Sequence, residues 1–81
     1  MTIISTYQDL LNQGLERGVA VRSIARSLYG TGQNARSFMA GFRASVKYCD
    51  GLEQREAKHA AQYGREAGNA YSDGWTLAAC I

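Results

Sequence analysis

The sequence predicts an all-α protein, a compact bundle of about four helices with a central basic helical hairpin. Three observations carry that reading. Apolar residues recur at helical spacing in four segments, the chain of 81 residues contains no proline, and alanine is abundant. A hydrophobic fraction of 46% against a charged fraction of 20% fits a folded globule rather than a disordered tail. The length allows one domain, residues 1–81, near the lower limit of what folds alone.

The first helix is expected over residues 6–17. Ser5 and Gln8 have the spacing of a capping box, Tyr7, Leu10, Leu11 and Leu15 form the buried side, and Gly18 marks the end. The second is expected over 20–29, with Val21, Ile24, Ala25 and Leu28 on one face and Arg22 and Arg26 on the other. Gly30 and Gly32 then let the chain reverse. Gly30-Thr31-Gly32 lacks the lysine and the preceding strand of a nucleotide loop, so it reads as a turn.

Asn34 is a suitable N-cap for a third helix over 34–48, whose apolar face is Ala35, Phe38, Met39, Phe42 and Val46. Arg36, Arg43 and Lys47 lie opposite. A fourth helix is expected over 52–72. Its apolar side is made of small residues, and Ala60, Gly64 and Gly68 repeat at intervals of four, which permits another backbone to come close, either within the chain or in a homodimer. Asp73-Gly74 reads as a turn, followed by an apolar tail that carries the single tryptophan, Trp75. That ring either seals the core or anchors a partner. Ile24, Leu28, Phe38, Phe42 and Tyr63 are the expected core.

Charge is distributed unevenly. Residues 17–49 carry Arg17, Arg22, Arg26, Arg36, Arg43 and Lys47 and no acid, within a chain whose net charge is only +2. A basic face of this kind attracts phosphates or an acidic protein surface, unless its arginines pair with carboxylates of the flanking segments.

Catalytic residues, cofactors and metals are not expected. His59 is the sole histidine and has no serine or cysteine at a spacing that forces contact, so it reads as an ordinary helix histidine. Cys49 and Cys80 lack the companions of a zinc site and are expected as buried free thiols in a reducing compartment. The opening residues MTIISTYQ lack the basic start and long apolar run of a secretory leader, and no segment reaches the ~20 apolar residues of a membrane span, so a cytoplasmic location is expected.

The run Val21-Arg22-Ser23-Ile24-Ala25-Arg26-Ser27-Leu28, a glycine turn, and then Asn34-Ala35-Arg36-Ser37-Phe38 resembles a helix-turn-helix. The resemblance implies Ala25 at the close helix contact and the second helix in a major groove. Gln33, Asn34, Arg36 and Ser37 would then face base edges, with Arg22, Arg26, Arg43 and Lys47 on phosphates. Two functions remain in view. The leading expectation is a small nucleic-acid-binding regulator that uses the hairpin of residues 19–49. The alternative is an inhibitor or adaptor, of the kind small phage and mobile elements encode, that blocks a larger protein machine, one handling nucleic acid included.

Overall fold

The computed structural model describes residues 3–79, and all of the regular structure in them is helical: α1 (Ile3–Asn12), α2 (Arg17–Tyr29), α3 (Gln33–Tyr48), α4 (Leu52–Tyr63) and α5 (Arg65–Ala79). Helix α3 is central. It packs against α5 on one side and α2 on another, while α1 rests on α2 and α4 on α5. No helix among the described residues is long and apolar enough to cross a membrane.

Five helices replace the expected four because the segment 52–72 breaks at Gly64. This residue has φ 102° and ψ 167°, a region essentially restricted to glycine, and its N–H closes α4 on the Ala60 carbonyl. The three small residues therefore do not form one ridge. Ala60 and Gly68 face each other across the break, and a Cβ added to Gly68 would lie 2.7 Å from the Ala60 Cβ. Their close contact is made inside the chain, between α4 and α5.

The first helix starts earlier and ends earlier than expected. Ser5 lies inside it rather than capping it, and Gly14 ends it with φ 92°. The Leu15 N–H bonds to the Leu10 carbonyl at 3.3 Å and the Gly14 N–H to the Leu11 carbonyl at 3.0 Å, the paired bonds of a Schellman ending. Gly18, expected as the terminator, sits in the first turn of α2. At the start of α3 the N-cap is Gly32 rather than Asn34.

The deepest packing is between α3 and α5, and it depends on glycine. A Cβ on Gly41 would meet the Tyr71 carbonyl oxygen at 1.9 Å, and a Cβ on Gly74 would meet the Phe38 carbonyl oxygen at 1.9 Å. Each glycine thus receives the backbone of the other helix. Ser37, Gly41 and Ser45 line one ridge at intervals of four, and Ala70, Gly74 and Ala78 make the facing one. Asp73-Gly74 is accordingly helix interior and not a turn. Trp75 and Leu77 are buried in the last turns of α5, so the apolar tail is part of that helix as far as Ala79.

Ile24, Phe38 and Phe42 are in the core as expected, with the Phe42 ring 5.9 Å from that of Tyr7. Leu28 at 48% exposure and Tyr63 at 46% are not. Leu28 occupies the last turn of α2, and Tyr63 the last position of α4, a helix with no buried residue. Cys49 is exposed, contrary to expectation. It ends α3 in a left-handed conformation with φ 67°, where the chain leaves the core. Cys80 lies outside the described residues.

Candidate binding face of α2 and α3

Burying Val21, Ile24 and Ala25 turns Arg22 and Arg26 of α2 outward, because residues one and two positions away point to the far side of a helix. The same geometry in α3 buries Phe38, Gly41, Phe42 and Ser45 and leaves Arg36, Arg43 and Lys47 exposed. No carboxylate pairs with any of these five side chains among the described residues. Lys47 does reach an aromatic, its Nζ lying 5.2 Å from the centroid of the Tyr48 ring.

The remaining sequence candidates are turned inward. Ser37 is 0% exposed, and its Oγ accepts from Gln33 Nε2 at 3.1 Å and lies 2.7 Å from His59 Nε2. Asn34 Nδ2 donates to Glu66 Oε2 at 3.5 Å. The first turns of α3, which the helix-turn-helix resemblance assigns to base edges, are therefore engaged with α4 and the start of α5. Ser37 is corrected from a surface contact to an interior one, since it lies on the same ridge as Gly41. Gln33 and Asn34 are half-buried, and Arg36 alone of the four is exposed. Trp75, at 6% exposure, has its ring 6.5 Å from that of Tyr71 in the interior, which leaves little surface for anchoring a partner.

Between α2 and α3 runs an open groove of about 290 Å³, lined by Arg17, Gly18, Val21, Met39, Phe42, Arg43 and Val46. A second depression of about 330 Å³ shares Arg17, Phe42 and Val46 with it and extends to Tyr7, Leu11 and Ala78. The floor is apolar, and among the described residues no carboxylate lines either part. Val46, at 49% exposure, stands in the groove as an accessible apolar side chain.

The contact between Ser37 and His59 was not legible from spacing, because it joins residues 22 apart on different helices. The Ser37 hydroxyl accepts from Gln33 and, having a second lone pair and a proton, either accepts from or donates to His59 Nε2 according to the imidazole tautomer. Burial moves the His59 pKa below its ordinary value. The ring contacts those of Tyr63 at 4.7 Å and Tyr71 at 4.6 Å, both in tilted geometry. A hydroxyl without solvent access cannot reach a substrate carbonyl, so the pair ties α3 to α4. Among the described residues no group of three or more His, Cys, Asp or Glu side chains is placed to hold a metal ion.

No family model, curated protein or solved structure matches the chain.

Proposed function

We propose that the chain is a non-enzymatic binding protein that docks an acidic, partly apolar surface of a partner protein on the α2–α3 face, as a small inhibitor or adaptor would. The observation that carries this reading is the groove with Val21, Met39, Phe42 and Val46 as its floor and Arg17 and Arg43 at its rim. Recognition of an amphipathic protein segment uses an apolar strip flanked by charges of one sign. A duplex backbone would satisfy the arginines and leave the apolar floor without a counterpart. Burial of Ser37 and the partial engagement of Gln33 and Asn34 within the fold also favour this reading over base reading by the start of α3.

The test places a photo-crosslinking amino acid at Val46 and, as a control, at Ser23 on the exposed side of α2. A single protein labelled from position 46 and not from 23, with labelling lost in Arg43→Glu, is the expected result. Salt titration of the wild type against random duplex provides the opposing outcome. Saturable binding at physiological salt, with a logarithmic salt slope of about 0.9 for each contacted phosphate, would replace the partner protein with nucleic acid.

A further inference from the structure

Away from the α2–α3 face, one turn of α4 after another contributes a polar side chain to the same side. Arg55, Lys58, His59 and Gln62 are spaced at i, i+3, i+4 and i+7, and with Tyr71 of α5 they line an open cavity of about 160 Å³. None of these groups is an acid. Two are cations, one is an amide and one a phenol, while the His59 ring has its Nε2 committed to Ser37. The Tyr71 hydroxyl is held protonated, chiefly by burial, and so remains a donor.

The arginine is placed in advance. Its guanidinium lies 3.6 Å over the centroid of the Tyr48 ring, and its Nε is buried with no hydrogen-bond partner. A guanidinium already stacked and partly stripped of water loses little rotamer freedom or hydration when an anion meets its outer N–H groups. Lys58 stands one turn further along as an exposed second cation. The exposed Tyr63 ring, against His59, offers a flat surface beside the cavity.

We propose that this cavity binds the phosphate group of a small phosphomonoester, with Arg55, Lys58 and Tyr71 as its donors. A tetrahedral dianion matches two cations and a phenol, and a phosphate is small enough for the space. The site shares no residue with the α2–α3 groove, so it stands or falls separately from the partner reading.

The test follows backbone amide and side-chain NMR signals of the full chain during titration with inorganic phosphate and with adenosine 5′-monophosphate, against sodium chloride at matched ionic strength. Expected are saturable shifts confined to α4 and to the neighbourhood of Tyr71, with none from chloride. Equal affinity for both ligands would mean that phosphate alone is read, and tighter mononucleotide binding would bring in Tyr63. Lys58→Gln, at an exposed position with no packing role, and Arg55→Gln should each weaken binding about tenfold, whereas Arg36→Gln should not. Shifts that follow ionic strength, that spread equally over Arg22, Arg26 and Arg43, or that survive both Lys58→Gln and Arg55→Gln would overturn the proposal.

Discussion

Ser37 and His59 show how a single polar pair is set by the packing around it. Ser37 lies on the ridge that α5 covers, so its hydroxyl needs partners inside the protein, and Gln33 and His59 supply them. The pair has a consequence for pH. The folded chain holds the imidazole neutral more strongly than the unfolded chain does, because burial between Tyr63 and Tyr71 lowers its pKa. As pH falls through the ordinary imidazole value of about 6.5, the unfolded chain takes up the proton first and stability declines. The loss levels off once pH is below the depressed folded value. Melting temperature should therefore drop between pH 7 and 5.5 in the wild type and drop less in His59→Gln, and parallel curves for the two would refute the assignment. The basic residues of the candidate site were legible from helical periodicity, since each lies opposite a buried apolar stripe. The fate of Gln33, Asn34 and Ser37 was not, because it depends on α4 and α5 returning over the start of α3, a contact that no local pattern encodes.

At the level of the helices, glycine serves two different purposes, and substitution separates them. Gly41 and Gly74 are ordinary helical residues in φ, and each is needed because a carbonyl of the opposite helix occupies the place of its Cβ. Ala at either position forces two backbones apart, a change near the upper end of overpacking costs, about 3 kcal/mol. Set against the roughly 5–15 kcal/mol that stabilises a domain, this is a large loss. Gly64→Ala is destabilising for another reason, since there is open space around it and the strain lies in φ 102°. Gly18→Ala meets neither obstacle and should stabilise by about 0.5 kcal/mol. Chemical denaturation of the four variants checks the order, and a Gly41→Ala protein as stable as wild type would contradict the crossing. Apolar spacing read α3 to within one residue and the end of α2, while α2 begins at Arg17, three residues before the expected start. The break at Gly64 could not be read, because the small residues on either side continue the helical period through it. The ridges of Ser37, Gly41 and Ser45 and of Ala70, Gly74 and Ala78 were present in the sequence, but Ala60, Gly64 and Gly68 drew the same inference to the wrong pair of helices.

Across the whole molecule the charges and the core are arranged around α3. Arg43 of α3 and Arg17 at the start of α2 line one groove, while the acids of residues 50–81 are carried by α4, α5 and the turn before them. Among its described lining residues the groove has no carboxylate, although Glu16 caps α2 beside Arg17, and such a lining favours electrostatic attraction of an acidic partner over distances of about a Debye length, ~8 Å at physiological salt. Helix α4 stands apart from this organisation. It buries no residue, is capped by Gly51 with φ 82° and by Gly64, and is held by contacts that include Ala60–Gly68, the His59–Ser37 bond, the His59–Tyr71 ring contact and the Arg55–Tyr48 stack. A helix with no buried residue and a glycine at each end is expected to open at lower cost than the α3–α5 crossing. Native-state hydrogen exchange should reveal this as a separate opening unit, the amides of α4 exchanging at a lower free energy than those flanking Gly41 and Gly74. Uniform protection across the three helices would show instead that α4 is released only when the whole chain unfolds.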